Sequence, residues 1–139
     1  MGRFEEIDHT ADYALRVWGE DLRDLLETAG QGLIWLMTAG EAPAPSQWRE
    51  YHLQAADLEG LLVACLRELL ALAEAGTLPA AVQVREAGDR PPAAWLRVGV
   101  LPLPQARGYL HRHIKAVTYH NLALRPACGG LGVTITFDT

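Results

Sequence analysis

The sequence predicts an α+β fold in one domain, residues 1–139, with two amphipathic helices packed on a mostly antiparallel or mixed β-sheet. Three observations lead there. Two long stretches repeat apolar residues at helical spacing. Several shorter stretches alternate at strand spacing. The order runs strand, helix, strand, helix and then a series of strands. A chain of 139 residues can bury a substantial core but not two ordinary ones, and half of its residues are hydrophobic.

The first helix is predicted from about Asp21 to Met37. Leu22, Leu25, Leu26, Ala29, Leu33, Leu36 and Met37 form one stripe; Asp21 is an N-cap, and Asp24 adds negative charge in the first turn, where the helix dipole favours it. The second is predicted from Leu58 to Ala75. Its apolar steps alternate between three and one from Leu58 to Ala73, Asp57 caps it and Gly76 ends it. Each helix should bury one side. Strands are predicted at 13–19, 48–55, 80–86, 93–100, 113–124 and 132–138, with loops at 41–47, 87–92 and 125–130. Two prolines in LPLPQARG (101–108) argue against a central strand there.

Composition excludes several classes. The net charge of −5 makes strong autonomous nucleic-acid binding a poor expectation, although Arg107, Arg112 and Lys115 form a local basic patch. The two cysteines, Cys65 and Cys128, lack metal-site spacing and read as reduced thiols of a cytoplasmic protein. No signal peptide is visible, and the apolar run LLVACL (61–66) is too short to span a bilayer. No P-loop, dinucleotide fingerprint or nucleophile elbow occurs. Ser46 is the only serine, and Cys65 lies on an apolar helical stripe, where a thiol is usually inert.

Two groups of residues carry candidate chemistry. Asp8, His9 and Asp12 in FEEIDHTADYAL form either a capped turn before the strand at Tyr13 or part of a carboxylate cluster. The last strand, GVTITFDT, sets Asp138 beside Thr139 and its terminal carboxylate. If that strand pairs near the Asp8–Asp12 turn, the carboxylates converge and need a cation to offset their repulsion. An all-oxygen donor set suits Ca²⁺ or Mg²⁺ rather than zinc. The rival reading is a histidine-held metal at His9, His111, His113 and His120. It lacks a third ligand at a diagnostic spacing, so hydrogen-bonded or exposed imidazoles are the expectation. Lys115 is the only lysine among eleven arginines. A GC-rich composition explains its rarity, and a phosphate-binding point charge is the functional alternative.

DHTAD near the start, WGEDLRDLLETA, ADLEGLLVACLRELLAL, IKAVTYHNL and the final FDT together resemble the archease family, the small proteins associated with RtcB-type RNA ligases. The resemblance covers nearly the whole chain. It implies a compact α+β fold and an accessory protein rather than an enzyme, with no catalytic residue of its own. Such proteins promote guanylylation of the ligase by GTP and support its multiple turnover in tRNA splicing or RNA repair. The resemblance also implies a divalent metal, calcium first with magnesium or manganese as alternatives, held by Asp12, Asp138 and Thr139 with Asp8 adjacent. Lys115 falls on the family's IKA lysine, which implies a role in ligase activation. The partner implied is the ligase, with tRNA or broken RNA associated indirectly and no membrane. Cys65 and Arg67 stand where many relatives carry Trp and Asn, and LPLPQARGYLHR departs from the family's more polar segment. A metal-dependent hydrolase using the same carboxylates and a chaperone-like binding module are the alternative functions.

Overall fold

The structure, a computed structural model, describes residues 2–7, 13–102 and 104–139. Its elements are β1 (Arg3–Ile7), β2 (Tyr13–Gly19), α1 (Leu22–Thr38), β3 (Gln47–Gln54), α2 (Leu58–Glu74), β4 (Thr77–Asp89), β5 (Pro92–Pro102), β6 (Ala116–Val117), β7 (Arg125–Ala127) and β8 (Gly130–Asp138). They build two sheets rather than the single sheet expected. The larger runs β1-β2-β8-β6, with β7 also paired to β8, and the smaller runs β3-β5-β4. Every pairing among the described residues is antiparallel.

Both helices begin where the sequence sets them. The Asp21 carboxylate accepts from Asp24 N–H at 2.8 Å, while the Asp24 carboxylate accepts from Glu20 N–H at 2.8 Å. Two donors left over at the helix start are thus satisfied reciprocally. Asp57 accepts from Gly60 N–H at 2.7 Å in the same way. At the far end of α2, Gly76 takes φ +85°, a conformation that costs glycine little.

Helix α1 departs from the one-sided burial expected of it. It packs against β2 of the larger sheet, β4 of the smaller sheet, and α2. Gly32 makes room on one side: a Cβ there would come within 2.9 Å of Leu15 Cδ1 and 3.2 Å of Phe4. Gly30 makes room on the other, where a Cβ would come within 2.9 Å of Val82 Cγ1. The core lies between the sheets, around Leu25, Leu33, Leu36, Leu62, Leu66 and Phe137, each no more than 1 % exposed.

Four strand expectations change. The loop expected at 87–92 shrinks to Arg90 and Pro91, because β4 and β5 stay paired out to Asp89 and Pro92. The 113–124 segment contributes only Ala116–Val117, because the chain turns at Asn121, whose φ is +53°, and the amide of His120 bonds instead to the Thr118 hydroxyl at 3.3 Å. The 125–130 loop becomes a hairpin: Ala127 pairs with Gly130, and Cys128 and Gly129 between them have φ of +50° and +80°. Positive φ at both central residues is what a tight hairpin turn requires. The N-terminal Arg3–Ile7 segment, not read as a strand, lies along β2.

Candidate functional site

One end of the larger sheet gathers the chain's most distinctive segments. Strand β8 runs outward to Asp138, Tyr13 opens β2 opposite Phe137, and Ile7 closes β1 opposite Ala14. Ala116 pairs with Asp138, and Lys115 N–H donates to the Asp138 carbonyl at 2.8 Å. The IKAVTYH segment and the FDT terminus are therefore joined through the backbone, 23 residues apart by number. The side chains of Lys115 and Asp138 both belong to exposed residues. Asp8, His9 and Asp12 lie outside the described residues, between the ends of β1 and β2.

The approach to Lys115 is anchored by a residue that the sequence marked only as part of a basic patch. Arg112 pairs with Glu6 at 3.2 Å, and its guanidinium lies 5.2 Å from the Tyr13 ring centre and 5.7 Å from that of Trp35. The N–H groups of His111 and Arg112 both donate to the Met37 carbonyl near the C-terminus of α1, at 2.8 and 3.2 Å. These bonds fix the segment across β1, β2 and α1 just before it reaches Asp138. On its other side, Arg67 of α2 reaches to 5.9 Å from the Tyr119 ring, so this helix adjoins the IKAVTYH stretch.

Among the described residues, His111, His113 and His120 are not grouped around a metal position, and His9 lies outside those residues. His111 and His113 lie on irregular chain rather than on one strand face, where they line a groove of about 450 Å³ with Leu110 and Glu74. His111 stands 3.6 Å from Glu41, and His120 contacts Asn121 at 3.3 Å. No group of three His, Cys, Asp or Glu among the described residues is arranged to hold a metal ion. Neither Cys65 nor Ser46 is set up as a nucleophile. Burial, with Glu68 as a second cause, pushes the Cys65 thiol up to about 12, which keeps it protonated and unreactive. The Ser46 hydroxyl sits 3.4 Å from the Val100 carbonyl.

Two layers of antiparallel sheet around a pair of helices, with a polar sheet end made from both chain halves, define a small α+β protein whose distinctive residues lie at one tip. The archease protein family (MTH1598/TM1083) matches residues 4–139, and the chain belongs to that family. Protein archease of Methanopyrus kandleri is 37% identical, with 86% of each chain covered. Protein archease of Methanosarcina mazei is 29% identical over 98% of this chain and 95% of its own. The solution structure of Methanobacterium thermoautotrophicum protein 1598 superposes with a TM-score of 0.74 at 23% identity, covering 98% of both chains. The crystal structure of a Thermotoga maritima archease, described as a possible chaperone, gives 0.68 at 20% identity, covering 97% of this chain and 96% of its own. No helix among the described residues is long and apolar enough to cross a membrane.

Proposed function

We propose that this protein is an accessory factor of an RtcB-type RNA ligase in the cytoplasm, promoting guanylylation of the ligase by GTP and its multiple turnover in tRNA splicing or RNA repair. The observation that carries the reading is the Lys115 N–H bond to the Asp138 carbonyl at 2.8 Å, which unites two family segments at one exposed sheet end. Asp12, Asp138 and Thr139 would hold a divalent cation, with Asp8 adjacent. The Asp138 carboxylate is an oxygen donor at an exposed position, which fits calcium, magnesium or manganese better than zinc. A cation held there would supply neutralisation of phosphate charge. In this reading the chain's own contribution is positional. The Arg112 anchor and the β6–β8 pairing hold Lys115, whose ammonium is free to meet a phosphate or a carboxylate of the partner.

The experiment is a count of RNA joining events per ligase molecule, with GTP, in the presence and absence of this protein. Multiple turnover only in its presence is expected; a single turnover in both would refute the proposal. Lys115→Ala and Asp138→Ala should each lower the stimulation by about tenfold or more, the scale of losing a charge-assisted contact. Both should keep the melting temperature within a few degrees. A chaperone-like role follows the description of the Thermotoga maritima relative. It predicts less ligase aggregation with unchanged turnover.

A further inference from the structure

The outer face of the larger sheet carries an arginine-lined trough. Arg3, Trp18, Gly132 and Arg125 form a transverse row across β1, β2, β8 and β7, and Glu5, Arg16 and Thr134 form the next row across β1, β2 and β8. Both rows face away from the core, since Leu15, Val17, Val133 and Ile135 take the inward positions. Gly132 leaves a trough in the first row: a Cβ there would meet Ala127 Cβ at 3.0 Å and Trp18 Cδ1 at 3.6 Å. The trough has a volume of about 280 Å³, with Arg16, Asn121, Arg125 and Thr134 around it, and no carboxylate lines it. Arg3 lies outside the trough, its guanidinium 4.3 Å from the centre of the Trp18 ring that forms one wall.

A lining with two guanidiniums and no carboxylate stands out on a chain whose net charge is −5. Arg125 is exposed and makes no ion pair among the described residues. Arg16 has one, with Glu5 at 3.4 Å, but both side chains are half exposed, at 50% and 56%. Such a pair is screened by solvent and easily exchanged for a better anion. The trough thus offers planar guanidinium forks, an amide and a hydroxyl to a group rich in acceptor oxygens.

We infer that this trough binds backbone phosphate of single-stranded RNA, with Arg16 and Arg125 as the principal contacts. Naming RNA rests on the ligase reading above; the anion chemistry does not. Binding is weak and salt-sensitive, because only two guanidiniums of the trough neutralise phosphate.

The test is fluorescence anisotropy of a labelled oligouridine at low salt, with no ligase present, so its failure leaves the turnover experiment untouched. Arg16→Glu/Arg125→Glu should weaken binding by about tenfold or more and reduce the slope of log affinity against log salt by about 1–2. Arg49→Glu/Arg85→Glu, on the smaller sheet, makes the same change in net charge and should bind like the unaltered protein. Equal losses in the two double variants, or no binding by the unaltered protein, would overturn the inference. So would inorganic phosphate shifting the Asn121 and Arg125 amide resonances while the RNA shifts neither. All four arginines belong to exposed residues, so the fold should survive and melting curves will verify it.

Discussion

Cys65 and Cys128 show how position rather than residue type sets chemistry. Cys65 is 4 % exposed in the core, whereas Cys128 is exposed at a hairpin turn. A thiol reagent should therefore titrate one cysteine at neutral pH and both in denaturant; two fast thiols in the native protein would contradict the burial. The same burial makes stability depend on pH. The ordinary thiol value is 9.0, and Cys65 is raised to about 12. Between these values the unfolded chain releases a proton that the folded chain retains, so the unfolded state gains. The contribution is complete below about pH 9 and is lost as pH rises through about 12. Urea unfolding at increasing alkaline pH measures it, and the midpoint should fall. Arg112 belongs to the same scale. Arg112→Ala removes the Glu6 pair and both ring contacts, and should loosen 111–115 enough to speed amide exchange at Lys115. Unchanged exchange there would mean that the Met37 carbonyl bonds hold the segment without it.

At the scale of elements, the junction between β2 and α1 is closely packed. A Cβ on Gly19 would come within 2.4 Å of Leu25 N and 2.6 Å of Leu25 Cα, both backbone atoms of the first helical turns. Gly19→Ala therefore has to displace the helix from the strand and should cost about 1–3 kcal/mol or more. Gly88→Ala, with nothing within 4 Å, is the comparison and should change stability little. Chemical denaturation of the two variants decides the matter: equal midpoints would show that the junction yields. The N-cap is the second test at this scale. Asp57→Ala removes the acceptor for Gly60 N–H and should cost about 1 kcal/mol.

At the scale of the whole molecule, no strand pairing joins the two sheets among the described residues, so α1 and α2 couple them. Leu66 of α2 is 0 % exposed, and Leu66→Ala should destabilise by about 2–5 kcal/mol. The loss should be felt in both sheets at once. Variants keeping only Trp18, on the larger sheet, or only Trp95, on the smaller, would report each sheet by fluorescence. Coincident transitions are expected, and separated ones would show that the helices do not bind the sheets into one cooperative unit.

Local pattern was enough for both helices, their caps and the strands at 13–19 and 132–138, because capping chemistry and apolar spacing depend on neighbouring residues alone. It was also enough to recognise the family. It failed for 113–124, where β-forming residues were overruled by a turn at Asn121 and by anchoring to Met37, 37 and its partners 111 and 112 being far apart in sequence. The sandwiching of α1 between two sheets escaped the apolar stripe because glycine adds nothing to a hydrophobic pattern, yet permits close approach. The sequence by itself determined both helices, most of the long strands, the family and the unusual residues Lys115 and Asp138. Only the tertiary structure decided that these two share a hydrogen bond, and that arginines from β2 and β7 meet around Gly132. Which residues meet across a sheet depends on register and strand order, and those are settled by the packing of the whole core rather than by any one segment.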